Sequence, residues 1–231
     1  MRVAVLFSGG KDSTFSAYRA IQQGREIACL IAMKSANPAS YMFHVPNIDL
    51  VKLQSRAIGV PLIFKKTLGV KEEELKDLKS ALTAAKKLYK IKGVVCGAIA
   101  SEYQRYRVEA VCADLGLKSI APLWHLDPER YLMELIREGF EVIMSAVASD
   151  GFDPAWLGRK LDMFTLDDLK KLRDKYGMHL GGEGGEYETL VLDGPIFKKK
   201  IVIQKADKLW KGDSGFYVVK KAKLANKGKS K

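Results

Sequence analysis

Through the first half of the chain, short β-rich apolar runs alternate with segments of helical period. Residues 3–7 read as a strand, a helix follows to about Gln23, residues 27–33 read as a second strand, and a helix is expected after Asn47 as its N-cap. Residues 61–65 then read as a strand and 94–99 as a buried one; between them, 72–89 form a helix with Leu75, Leu78, Leu82, Ala85 and Leu88 on one face. The next helix starts at Ser101 as N-cap, carries Val108, Val111, Cys112 and Leu115 as its stripe, and stops at Gly116. Alternation of this kind predicts an α/β fold, a doubly wound parallel sheet covered on both faces.

Around Pro122 the pattern changes. A helix is expected from Asp127 or Pro128 to Glu138, a strand over 140–148, and a helix over 165–176 capped by Thr165 and ended by Gly177. A glycine-rich stretch at 179–185 precedes strand-like segments at 189–192, 200–204 and 216–220, and a polar tail follows from Ala225. The organisation expected is a nucleotide-binding domain over 1–121, a smaller α+β domain over 122–224 for substrate binding and catalysis, and a basic disordered tail over 225–231.

Composition narrows the class. With 47% hydrophobic and 29% charged residues in 231, the chain is globular rather than disordered or collagen-like. Its net charge of +12 is unevenly placed: residues 198–231 hold twelve Lys and two Asp, a net of +10, and the rest is close to neutral. The basic segment contains no Arg for bidentate base reading, so solubility or steering towards an acidic or RNA-associated partner is expected rather than direct nucleic-acid binding. The first apolar run is too short for a signal peptide and no apolar stretch approaches the roughly 20 residues needed to cross a bilayer, so a cytoplasmic protein without membrane association is expected. Cys29, Cys96 and Cys112 form no C-x-x-C and sit mostly in apolar runs, as reduced buried thiols do. Oligomeric state is left open, a homo-oligomer included.

The candidate chemistry begins at Ser8-Gly9-Gly10-Lys11-Asp12-Ser13, which follows the first strand directly and opens the first helix. In that context glycines let backbone wrap an anion while N–H groups at a helix start point inward. Ser8 and Ser13 add hydroxyl donors and Lys11 adds charge; Asp12 beside a polyphosphate makes sense mainly as a Mg²⁺ ligand. A Walker A loop does not fit, because Gly10-Lys11 is followed by Asp12, and Lys223 stands where Gly228-Lys229-Ser230 would need its first glycine. There is no G-x-G-x-x-G.

Three further segments carry polar groups without an evident packing purpose. Tyr41 and His44 lie in a loop leading to Asn47, where plain N-cap chemistry with packed aromatics accounts for them equally well. Gly97, Tyr103, Gln104 and Arg107 lie at a strand-to-helix junction, the kind that lines ligand crevices in open α/β sheets; an exposed cation–π pair is the bland alternative. Finally Glu183, Glu186 and Glu188 interleave with glycines and run into an apolar strand. A strand starting at Glu186 puts Glu186 and Glu188 on one face at its mouth, suited to binding Mg²⁺, orienting an amine or taking its proton.

The S-G-G-x-D-S string after the first strand resembles the signature of N-type PP-loop ATP pyrophosphatases. Together with S-Y-M-F-H-x-x-N, the G-A-I-x-S-x-Y-Q-x-x-R-V-E stretch, Pro122-Leu123-Trp124 and E-G-G-E-Y-E-T-L, it is similar to the diphthine–ammonia ligase family over residues 3–195. The resemblance implies a PP-loop/HUP-like fold and a cytosolic enzyme that uses ATP and ammonium to amidate diphthine on translation elongation factor 2 through an acyl-adenylate, releasing AMP and pyrophosphate. It implies that Ser8, Gly9, Gly10, Lys11, Asp12 and Ser13 bind phosphates, Asp12 with Mg²⁺, and that backbone at 31–33, Met33 included, meets adenine. Gly97, Tyr103 and Gln104 are assigned to the nucleotide, and His44, Arg107, Glu183, Glu186 and Glu188 to catalysis. Arg107 is placed against the acyl-adenylate phosphate, and Glu186 or Glu188 against ammonium. A PP-loop enzyme modifying tRNA and a noncatalytic adenine-nucleotide module are the alternatives.

Overall fold

The computed structural model describes residues 1–36, 47–70 and 73–228. The chain divides into two units, Met1–His125 and Leu126–Lys231. Tyr41 and His44 lie outside the described residues, as do the last three residues of the chain.

The first unit is built on five parallel strands in the order β3-β2-β1-β4-β5: β1 Arg2–Leu6, β2 Glu26–Ser35, β3 Leu62–Thr67, β4 Gly93–Val95 and β5 Lys118–Ile120. Helices α1 Lys11–Gln22, α2 Val51–Ile58, α3 Glu73–Tyr89 and α4 Glu102–Asp114 connect them. Cys29, Ile31 and Met33 of β2 pack with Leu78, Ala81, Leu82 and Ala85 of α3 and with Val108, Val111 and Cys112 of α4. The intervening Leu30 and Ala32 point the other way by the strand period and are also buried, so both faces are covered. The sheet therefore has the expected α/β architecture.

Several local expectations change. Leu88 is exposed, because the helical rotation that buries Ala85 and half-buries Tyr89 swings Leu88 outward. Asn47 adopts φ 62 and precedes a short 3₁₀ turn, Ile48–Leu50, without the side-chain cap bond expected of it. Strand β4 ends at Val95 rather than at Ile99, since the chain turns there to bring Gly97 onto α1.

The second unit pairs its strands antiparallel in the order β7-β6-β9-β8: β6 Glu141–Val147, β7 Tyr187–Asp193, β8 Lys199–Lys211 and β9 Ser214–Asn226. Helices α5 Pro128–Arg137 and α6 Met163–Tyr176 complete an α+β unit. Asp127 caps α5 as expected, accepting from the Arg130 N–H at 2.8 Å. The cap of α6 is Asp162, not Thr165: its Oδ1 accepts the Thr165 N–H at 2.9 Å, and Thr165 lies buried one turn inside. That backbone bond holds the Asp162 carboxyl below its ordinary range. Asp162→Ala is expected to cost about 1 kcal/mol in a urea melt at neutral pH. A depressed carboxyl stabilises above its unfolded pKa and loses that contribution as pH falls through its folded pKa, so wild type and variant should converge in acid.

The largest departure lies in the Lys-rich segment. Instead of two short strands and a tail from Ala225, β8 and β9 are each 13 residues long and paired from Lys199↔Asn226 to Lys211↔Ser214. Gly212, at φ 62, opens the two-residue turn between them, the position such hairpins reserve for glycine.

Candidate active site

In the first unit the sheet order changes direction at β1: the chain moves outward through β2 and β3, then crosses to β4 on the other side. Ligands of open α/β sheets bind outside the carboxyl ends of strands at such a switch. The Ser8–Ser13 turn leaves β1 there and runs into α1, whose N-terminal dipole favours an anion.

The turn is held by its own serines. Ser13 Oγ accepts the Ser8 N–H at 3.2 Å, lies 3.1 Å from Ser8 Oγ and donates to the Gly10 carbonyl at 3.2 Å. Gly10 N–H donates to Ser8 Oγ at 3.4 Å, and Thr14 Oγ1 donates to the Gly10 carbonyl at 2.8 Å. Gly9 sits at φ +82, a left-handed conformation that favours glycine. Lys11 is buried, with its ammonium 3.0 Å from the half-buried carboxylate of Asp12. This pair presents one positive and one metal-competent group at the start of the helix.

Two supports come from elsewhere in the chain. A Cβ on Gly97 would lie 2.9 Å from the Ser13 nitrogen and 3.0 Å from the Asp12 carbonyl carbon, so the β4 exit packs backbone to backbone on the first turn of α1. The residue expected to touch nucleotide thus has a packing duty beside it. The second support, Gln54, escaped sequence reading. It is fully buried on α2, and its Nε2 donates to the Gly9 carbonyl at 2.9 Å across 45 residues of sequence. Its signal was available: Val51, Gln54, Ser55 and Ile58 form one buried helical stripe with an amide in the middle. Gln54→Leu is expected to raise KM for ATP about tenfold, as the loss of a buried hydrogen bond does, with kcat changed less. Initial rates against ATP concentration check it.

Met33 is buried in the core beneath α3 and α4, so only its backbone remains for the expected adenine contact. On α4, Ser101 caps the helix through the Gln104 N–H at 3.4 Å. Gln104 is half-buried, one turn ahead of buried Val108. The Arg107 guanidinium stands 3.5 Å over the Tyr103 ring, the arrangement weighed as the bland alternative. Arg105, not expected to matter, lies 4.5 Å over Trp124 and bonds Glu109 at 2.7 Å.

In the second unit the acidic segment is a folded loop. Glu186 Oε1 accepts the His179 N–H at 2.7 Å and Oε2 accepts the Gly184 N–H at 2.8 Å. The strand begins at Tyr187, not at Glu186, and the Glu186 side chain turns back onto the loop instead of standing with Glu188 on a strand face. His179 Nδ1 accepts from Gly181 and Glu183 N–H groups at 3.2 and 3.4 Å, and the Tyr187 hydroxyl donates to the Leu180 carbonyl at 2.7 Å. Gly182, at φ +73, packs so closely that a Cβ would lie 2.9 Å from the Tyr187 carbonyl. Glu183 and Glu188 are half-buried.

All three cysteines are free and buried. Burial pushes the Cys29 and Cys112 thiols up to about 12 and raises Cys96, which disfavours the thiolate that sulfur-transfer chemistry needs. Among the described residues no three His, Cys, Asp or Glu side chains gather as a metal site, and no helix is long and apolar enough to cross a membrane.

A family model described as the diphthamide synthase N-terminal domain matches residues 1–119, and one described as the diphthamide synthase C-terminal domain matches 127–225. The chain belongs to the diphthamide synthase family. It is 38% identical to the diphthine–ammonia ligase of Danio rerio over 94% of this chain and 91% of that one, and 37% identical to the Homo sapiens protein of the same name over 90% and 84%. The Saccharomyces cerevisiae diphthine–ammonia ligase is 32% identical over 86% of this chain, which spans 34% of that longer relative. A solved structure described as a predicted subunit of tRNA methyltransferase from Methanocaldococcus jannaschii superposes with a TM-score of 0.43 at 15% identity, over 84% of this chain and 98% of that one. The Ser8–Ser13 turn lies in the first matched domain and the acidic glycine loop in the second.

Proposed function

We propose that the protein is an ATP-dependent diphthine–ammonia ligase of the cytoplasm. The carrying observation is the Ser8–Ser13 turn, shaped by Ser8, Ser13, Gly9 and Gln54 at the switch point of a parallel sheet, in a chain that aligns over 91% of the Danio rerio protein bearing that name. A carboxylate oxygen of diphthine on elongation factor 2 attacks the α-phosphorus of ATP, the bond to the bridging oxygen breaks, and pyrophosphate leaves. Ammonia then attacks the acyl carbon, the bond to AMP breaks, and a proton is released as the amide forms.

The turn's backbone and Lys11 stabilise negative charge on the departing pyrophosphate, where a fixed donor lowers the barrier most. Asp12 fits Mg²⁺, which takes one or two carboxylates along with substrate phosphates; the ion, held by Asp12, would neutralise charge on the triphosphate. Gly97 positions the first turn of α1, and Tyr103 orients Arg107 towards the acyl-adenylate phosphate. Both oxygens of Glu186 accept backbone N–H groups and fix the loop; Glu183 and Glu188, half-buried on either side of it, are the carboxylates we assign to ammonium and its proton.

The test is turnover by purified protein. AMP formation that requires both diphthine-bearing elongation factor and ammonium supports the reading, and equal ATP consumption without either overturns it. Mass spectrometry of the elongation factor from cells lacking the protein should show diphthine left unamidated.

A further inference from the structure

The β8–β9 ribbon carries eight Lys and one Asp within its strands and has two unlike faces near its tip. One face packs on the body of the second unit: a Cβ on Gly158 would strike the Tyr217 ring at 2.7 Å, and one on Gly215 would meet Trp210 and Leu157. Lys208, opposite Tyr217, reaches the Pro154 carbonyl at 3.3 Å. The other face therefore looks outward. On it Leu209 and Phe216 stand directly opposite each other, 52% and 41% exposed. Lys211 and Ser214 lie one pair further along that face, Asp207 and Val218 one pair back. Lys220 pairs with Asp207 at 3.7 Å. Among the described residues no ion pair engages Lys205, Lys211, Lys221 or Lys223, all of them exposed.

Lysines on a long edge strand discourage pairing with another sheet, and β8 is such an edge. That accounts for charge on β8 but not for an apolar pair left open to water near the tip of the ribbon. An apolar pair flanked by Lys211 on one side and by the Asp207–Lys220 pair on the other has the anatomy of a protein-docking patch. A second copy is disfavoured, because pairing two β8 edges would set lysines against lysines. RNA is disfavoured too: the ribbon has no Arg, and half of its apolar pair is an aliphatic side chain that offers no ring for a base.

We propose that the outer face of the β8–β9 ribbon docks an acidic protein surface, with Leu209 and Phe216 seated in an apolar recess and the free lysines meeting carboxylates around it. The partner is the protein substrate, and this assignment rests on the function proposed above. Docking there supplies affinity and orientation.

Fluorescence anisotropy with labelled, diphthine-bearing elongation factor tests it, using the full chain and two variants, Leu209→Thr/Phe216→Thr and Lys205→Glu/Lys221→Glu. The second touches only exposed side chains, so it keeps the test independent of ribbon packing. Each variant should weaken binding about tenfold or more, as loss of a central anchor or of complementary charge does. The charge variant should also bind with less salt dependence, and KM for ATP should not move in either. Unchanged affinity in both variants overturns the proposal, as does binding of the elongation factor too weak to detect in wild type. Variants that lose a single-stranded oligoribonucleotide while keeping the elongation factor overturn it as well. Wild type that binds the factor but fails to amidate it refutes the proposed reaction and leaves the docking comparison readable; wild type that amidates with unaltered variants refutes the docking alone.

Discussion

Gly97→Ala is expected to lower kcat/KM for ATP-dependent amidation about a hundredfold, the loss that follows when positioning slips by a fraction of an ångström to an ångström. The added methyl would meet the Ser13 nitrogen at 2.9 Å and the Asp12 carbonyl carbon at 3.0 Å. Both are backbone atoms, which no side-chain rotation can move aside, so the first turn of α1 must shift. That turn carries Lys11, Asp12 and Ser13, and Ser13 Oγ holds the loop through Ser8 and Gly10. The effect should fall on nucleotide handling: nucleotide affinity measured by calorimetry should drop with turnover, while affinity for the elongation factor stays. Wild-type ATP affinity in the variant would mean that α1 tolerates the methyl and that Gly97 is glycine for another reason.

Glu186→Gln should unfix the acidic loop. The carboxylate accepts two backbone N–H bonds, from His179 and Gly184, and an amide can accept only one, turning an NH₂ against the other donor. Charge-assisted bonds of this kind, half-exposed as here, suggest a loss of about 1 to 2 kcal/mol in local stability. Hydrogen exchange at the His179 and Gly184 amides should quicken by about tenfold or more. Turnover should fall in parallel, with a pH profile of wild-type shape. Glu188→Gln makes the contrast: it should lose turnover without quickening exchange at those amides. If Glu186→Gln removed activity while both amides stayed protected, Glu186 would return as a proton acceptor.

These two residues show where sequence reading succeeds and where it stops. Gly97 is marked by the motif segment it opens at a strand-to-helix junction, and Glu186 by acids set among glycines, which cost stability without an evident packing gain. What each does was less legible. The resemblance assigns Gly97 to the nucleotide, and its tightest neighbours are backbone atoms in the first turn of α1, the helix that follows the glycine turn. Glu186 was assigned to a strand face by the period of two, yet its side chain folds back by two hydrogen bonds that no periodicity encodes. Gln54 was passed over, since nothing within its own helix tells that the buried amide meets a carbonyl 45 residues earlier. The α6 cap moved from Thr165 to Asp162 for a local reason: two good capping residues lay one turn apart, and burial of Thr165 decided between them.

The Lys-rich end departs from its sequence pattern in a different way. Its composition looks like a solvated tail, and strand propensity is weak where Lys alternates with Ala and Asn. The ladder from Lys199↔Asn226 to Lys211↔Ser214 forms all the same, because Gly212 permits a tight turn and each strand then satisfies the other's backbone along 13 residues.

By itself, the sequence determined the order of the first four strands and their helices in the first unit, though not β5, together with the glycine-rich turn at the end of β1, the burial of the cysteines and the kinship carried by its motifs. Those depend on hydrophobic period, turn residues and strings of neighbours, which are local. Only the tertiary structure decided which groups brace that turn, that Glu186 is bound within its loop, and that the charge excess rides on a ribbon with an open apolar pair. The first depends on Gln54 meeting the Gly9 carbonyl across 45 residues and on Gly97 packing against α1; the others depend on hydrogen-bond geometry and strand pairing, which hydrophobic period does not encode.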